Sequence, residues 1–238
     1  MSSEHTVKAF DENLKRLDHL IAEMGGLAET QLANAIEALI KRDGEKASRV
    51  VGVDLRLDEL ELEVDHHTVR LLALRQPMAS DLREVIAALK TANILERIGD
   101  YAKNVAKRTA TLIEMPPVPS SMTIGRIGRL AQEMVKDVLD AYLARDVEKA
   151  NMVWERDTEL DALYTSLFRE LLTYMMEDPR NITACTHLLF VAKNLERVGD
   201  HATNIAEIIH FLVEGVVPMT QRPQEDESYF AVAEPHER

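Results

Sequence analysis

Two segments of this 238-residue chain carry the same polar signature. One is Glu96-Arg97-Ile98-Gly99-Asp100 followed by Asn104; the other is Glu196-Arg197-Val198-Gly199-Asp200 followed by Asn204. Residues four apart share one face of an α-helix, so each signature is a strip of oxygen ligands about two turns long. A second set of acids has the same i, i+4 spacing: Asp54 with Asp58, and Asp157 with Asp161. In the first half that set continues through Glu61 and Asp65 as an acidic stripe. Two carboxylate stripes brought together repel unless a cation sits between them. Oxygen ligands without thiolate suit hard ions, so the candidate cofactor is a divalent metal: Mg²⁺, Mn²⁺, Ca²⁺ or iron.

A charged helix stripe is most often only a solvated face. Two features set these strips apart. They recur at matching positions in both halves, and they flank Gly99 and Gly199. A mid-helix glycine costs roughly 1 kcal/mol relative to alanine, which predicts that something approaches closely there. Lys103 and Lys107 lie on or near the first strip, where the second has Thr203 and Glu207. The second strip is therefore expected to bind a cation more tightly. A competing signal is Glu-x-x-His, at Glu63–His66 and Glu207–His210. Paired Glu-x-x-His helices build di-iron carboxylate bundles, which makes a metalloenzyme of that type the alternative reading. These two copies fall at non-equivalent repeat positions, which argues against it. No GxSxG, Walker A or GxGxxG segment occurs, so no nucleophile or phosphate loop is expected. Cys185 sits in an apolar run and is expected to be a buried thiol. His187 is expected on a helix surface, and Trp154 and Met175-Met176 in packing.

Long helices must position these residues. Phe10, Leu14, Leu17, Ile21, Met24 and Ala28 follow a 4-3-4-3-4 spacing, which is a heptad-like seam. Gly25-Gly26 interrupts it and predicts a local bend. Arg42-Asp43-Gly44 ends the first helix, and Arg75-Gln76-Pro77 the second, because the residue before proline avoids the α region. A third helix is expected over 79–114. Three prolines in Pro116-Pro117-Val118-Pro119 cannot be helical and predict a stiff Pro/Ser linker over 116–121. Further helices are expected at 122–145, 147–177 and 180–214, and the polar, acidic segment 218–238 is expected to be disordered.

The halves repeat. Arg42-Asp43-Gly44-Glu45-Lys46-Ala47 matches Arg145-Asp146-Val147-Glu148-Lys149-Ala150 at an offset of 103, and 9 of 16 residues are identical between 92–107 and 192–207 at an offset of 100. The expected fold is all-α: two tandem three-helix bundles of long antiparallel helices, over 1–115 and 122–217. Nine glycines and eight prolines are too few for an all-β chain. The formal charge of −13 argues against nucleic acid as a partner. One cysteine excludes an internal disulfide and a CxxC zinc site. No run of 18 apolar residues and no apolar leader segment occurs, so the expected compartment is the cytoplasm, with membrane contact only through partners.

The doubled Glu-Arg-x-Gly-Asp-x-x-x-Asn signature, Met24-Gly25-Gly26, and Arg75-Gln76-Pro77 with Ser80-Asp81-Leu82-Arg83 resemble the PhoU family of phosphate-transport regulators, over about residues 5–215. The resemblance implies two three-helix bundles, a common homodimer, and metal at the E/DxxxD motifs: Asp54, Asp58, Glu96, Asp100, Asp157, Asp161, Glu196 and Asp200. It implies regulation rather than catalysis. The partners would be the ATPase subunit of the phosphate ABC transporter and the phosphate-sensing histidine kinase. The expected outcome is repression of the phosphate-starvation regulon and limited uptake when phosphate is plentiful.

Overall fold

The computed structural model describes residues 2–75, 79–118 and 121–216, with side chains placed for these except 2–11, 53, 54, 75, 121 and 122. Among the described residues there is no strand. Six helices follow one another: α1 Ser2–Lys41, α2 Gly44–Arg75, α3 Ser80–Ile113, α4 Ser121–Ala144, α5 Val147–Glu177 and α6 Ile182–Glu214, with a single 3-10 turn at Pro179–Asn181 before α6. The helices α1, α2 and α3 pack on one another, as do α4, α5 and α6. The chain is thus two tandem three-helix bundles. The expected acidic tail over 218–238 lies outside the described residues, as do parts of the linker and of the Arg75–Arg83 loop.

The repeated Arg-Asp pair explains both α-hairpins. Arg42 and Arg145 take left-handed backbone angles, with φ 53 and 56. The N–H of the next residue then reaches back, Asp43 to the Ala38 carbonyl and Asp146 to the Ala141 carbonyl, both at 2.9 Å. This is a Schellman helix end with arginine where glycine is usual. Each aspartate then starts the following helix: the Asp43 carboxylate accepts from the Lys46 N–H and Asp146 from the Lys149 N–H. The Arg42 side chain adds a long-range tie. Its guanidinium donates to the carbonyls of Leu112, Ile113 and Met115, which satisfies the open end of α3.

The bundles meet along α1–α4 and α3–α6, while α2 and α5 lie outside, each packed, among the described residues, within its own repeat. Glycines set the α1–α4 crossing. A Cβ on Gly25 would come within 2.8 Å of Leu139 Cδ2, and one on Gly128 within 2.9 Å of Ile36 Cγ2. Gly25 and Gly128 are repeat equivalents, and so are Ile36 and Leu139. The two contacts are one contact seen twice, as an approximate two-fold axis between the repeats requires. The helix runs unbroken through Gly25 and Gly26, and Gly25 lets a neighbouring bundle approach. Apolar side chains of both repeats form one continuous core, and it includes Val118 of the linker.

Candidate functional site

The α3–α6 contact brings the two signatures together back to back. Tyr101 and His201, which follow the aspartates of the two signatures, stack with ring centroids 5.4 Å apart. Arg197 lies over the Tyr101 ring at 5.9 Å. The acidic strips point away from this contact, toward α2 in one repeat and α5 in the other.

In the first repeat Glu96 is half-buried. Burial is the main cause that lifts its carboxyl to about 7, followed by the charges of Asp100, Glu61 and Asp58. The α3 strip and the α2 stripe therefore face each other, one of the two settings the spacing leaves open. Glu61 is fixed there by Asn93, whose amide donates to it at 3.0 Å. Lys103 lies 3.4 Å from Asp100. Asn104 is exposed at the outer edge of the strip, and the Asp54 side chain lies outside the described residues.

In the second repeat Glu196 is buried at 6% exposure. Burial lifts its carboxyl to about 7 against the pull of Lys193, with Asp200 and Asp161 adding to the rise. Asp161 is itself buried, and Asp157 faces Gly199. Glu196 Oε1 accepts from Lys193 at 2.7 Å, while the buried Oε2 has no hydrogen-bond partner. Asn204 sits elsewhere: it lies beside His201, in a cleft of about 570 Å³ between α2, α3 and α6. Glu207 lines that same cleft with Glu61 and Asp65, so it does not extend the Glu196 strip.

One expectation gains its cause and another changes. The close approach at Gly99 and Gly199 is made by the neighbouring helix, since a Cβ there would overlap Leu57 and Leu160, which are repeat equivalents. Those glycines serve helix packing. The contrast between a strip with lysine and one without also fails. Lys193, one turn before Glu196, gives the second strip an ammonium held closer than Lys103 is to Asp100.

The Glu-x-x-His histidines do not share a site. His66 is exposed on α2. His210 is buried against α5, stacked on Trp154 at 5.3 Å and bonded to Asn151 and Glu214. Cys185 is a buried free thiol, as its apolar run predicts. Trp154 is half-buried, with its N–H donating to the Thr203 carbonyl, whereas Met176 is exposed. His187 is half-buried beside Arg108.

Facing carboxylates and an orphaned buried oxygen match a hard divalent cation in donor type and charge. Among the described residues, no three Asp, Glu, His or Cys converge closely enough to hold one as they stand. Sequence reasoning missed Lys193, because only the C-terminal flank of each strip was weighed. It missed Gln31 of α1, whose Oε1 lies 3.0 Å from where a Gly99 Cβ would be, because nothing local marks it.

The PhoU domain family model matches residues 21–109 and 124–209. The chain is 55% identical, over 94% of its length and 98% of the relative's, to a phosphate-specific transport system accessory protein PhoU homolog of Caulobacter vibrioides. It is 51% identical to the homolog of Rhizobium meliloti, with 95% and 96% covered. The crystal structure of PhoU from Pseudomonas aeruginosa superposes with a TM-score of 0.84 at 40% identity, covering 87% of this chain and all of that one. A phosphate transport system regulatory protein PhoU from Streptococcus pneumoniae gives 0.82 at 29% identity, covering 89% and 100%. Both family matches fall one to each bundle, and each contains one acidic strip; the chain belongs to the PhoU family.

Proposed function

We propose that this protein is a cytoplasmic regulatory adaptor of phosphate homeostasis. It restrains high-affinity phosphate uptake and keeps the phosphate-starvation regulon off when phosphate is plentiful. It does so by binding the ATPase subunit of the phosphate ABC transporter and the phosphate-sensing histidine kinase, as a homodimer. The observation that carries this reading is near-full-length identity with relatives named as accessory proteins of the phosphate-specific transport system. Among the described residues no helix is long and apolar enough to cross a membrane; in this reading, contact with the membrane runs through these partners.

A divalent cation is proposed at each pair of facing strips. The first would use Asp54, Asp58, Glu96, Asp100 and Asn104, with Glu61, whose charge acts on Glu96, as a further ligand. The second would use Asp157, Asp161, Glu196 and Asp200; Asn204, expected there from the spacing, lies in the α2–α3–α6 cleft instead. The cation would supply positive charge that cancels repulsion between the strips. The chain's own part is to hold carboxylates partly out of water, where they gain most from a cation. The first strip has the extra Glu61 and the looser ammonium, so it is the stronger of the two. The di-iron alternative gains no support from the separated positions of His66 and His210.

The test is binding of purified ATPase subunit and of the kinase's soluble region, each with Mn²⁺ or with chelator. Saturable binding that weakens on chelation is expected. Failure to bind either partner under both conditions would refute the adaptor reading.

A further inference from the structure

The approximate two-fold axis gives each surface feature a counterpart, and one pair of counterparts has opposite chemistry. The cleft between α2, α3 and α6 carries the acids Glu61, Asp65 and Glu207 against the bases Lys90 and Arg97. The repeat equivalents of those acids are Tyr164, Phe168 and Lys107. Lys90 becomes Phe190, and Arg97 becomes Arg197. Two neutral residues of the cleft, Asn93 and Ile208, become Lys193 and Arg108. The counterpart groove, between α5, α6 and α3, thus has four bases and no acid at these positions, on a chain whose formal charge is −13.

The groove is assembled in the structure. Arg108 of α3 lies over the Phe190 ring of α6 at 4.1 Å. Lys193 lies over Tyr164 of α5 at 5.1 Å, and Arg197 over Tyr101 at 5.9 Å. Tyr164 and Phe168 adjoin, with centroids 6.5 Å apart. Phe190 is 50% exposed, and Lys107 and Arg197 are exposed. Lys193 is engaged by Glu196, which leaves Lys107, Arg108 and Arg197 as the charge offered to a ligand.

We propose that this basic, aromatic groove docks an acidic peptide segment of a partner protein. Cations laid against rings present flat guanidinium edges, which suit paired carboxylates. The exposed Phe190 ring offers an apolar anchor point, and aromatic and arginine side chains dominate binding energy at protein interfaces. A long polyanion would meet the repulsion of the whole acidic chain beyond the first Debye length, whereas a short acidic segment meets chiefly the local charge. A membrane surface calls for cations on freely reaching stems, and here Arg108 and Arg197 lie over the Phe190 and Tyr101 rings. The inference stands apart from the identity of the transporter and kinase partners.

The test uses a labelled helical peptide of about 12 residues, alternating Glu pairs with Leu and Tyr, which spans the groove. Binding to the full chain is followed by fluorescence anisotropy at about 50 mM salt and again at about 300 mM, where screening weakens it. The Arg108→Gln, Arg197→Gln variant is expected to bind at least about tenfold more weakly, a loss of ~1.4 kcal/mol. Lys90→Gln, Arg97→Gln, on the opposite cleft, is expected to bind as wild type. Phe190→Ala should also weaken binding. Helicity and melting temperature check that each variant is folded. Absence of binding, equal loss in both double variants, or tighter binding to phosphatidylglycerol vesicles or single-stranded DNA than to the peptide would overturn the proposal.

Discussion

Glu196→Gln in the second strip should make the metal-free protein more stable, and only above about pH 5. Glu196 is 7% exposed at its side chain and keeps one carboxylate oxygen without a partner. Burial lifts its carboxyl from 4.5 to about 7. The folded state therefore binds the proton more tightly than the unfolded state. Stability from this group is fully present below pH 4.5 and is lost as pH rises through about 7. Each unit is worth 1.36 kcal/mol, so the loss by pH 8.5 is about 3 kcal/mol. Glutamine keeps the shape without the charge. It leaves an amide in place of the carboxylate and ends the attraction of Lys193, so a net gain of about 1–2 kcal/mol is expected. The assay is urea unfolding with a chelator at about pH 4.5 and about pH 8.5, read as the difference between variant and wild type. A difference near zero at the lower pH and a gain at the higher one support the reasoning. A variant less stable than wild type at about pH 8.5 would refute it, because the Lys193 pair would then outweigh the cost of burial.

Other outcomes follow from the same geometry. If the proposed cation sites form, added Mn²⁺ should raise the melting temperature, since a cation held by the folded strips stabilises the folded state; Asp58→Asn, Glu96→Gln should lose more of that shift than Asp161→Asn, Glu196→Gln, measured by thermal scanning with and without metal. Gly128→Val should cost about 1–3 kcal/mol in urea unfolding, because its side chain meets Ile36 across the α1–α4 contact. Arg42→Ala should cost more stability than Arg42→Gly, by about 1 kcal/mol, as both lose the ties to α3 but only alanine keeps the strained left-handed angle.

The repeated motifs made the helices, their order and the two-bundle arrangement readable from residues alone. An offset of 103 or 100 between identical segments needs no structure to be seen. That each acidic set shares one helix face was readable too, because i, i+4 spacing fixes a face; that the α2 and α3 faces meet was one of two settings left open. What stayed hidden depends on a residue far away in the chain. A helical glycine serves a bend or a close approach, and at Gly25 only the position of Leu139 decides between them. Leu57 over Gly99 is the same case within one bundle. Lys193 was local but lies on the flank of the strip that faces the Tyr164 ring, where a surface lysine carries no signal of its own. The opposite chemistry of the two grooves needed the two-fold axis, which appears only when repeat equivalents are seen to touch.

The central claim is that this chain holds phosphate-starvation signalling off through its partners. Alkaline phosphatase activity in a deletion strain grown in abundant phosphate tests it most directly. The account predicts high activity in the deletion strain, returned to the repressed level by the full chain supplied in trans. Repressed activity without the protein would contradict it.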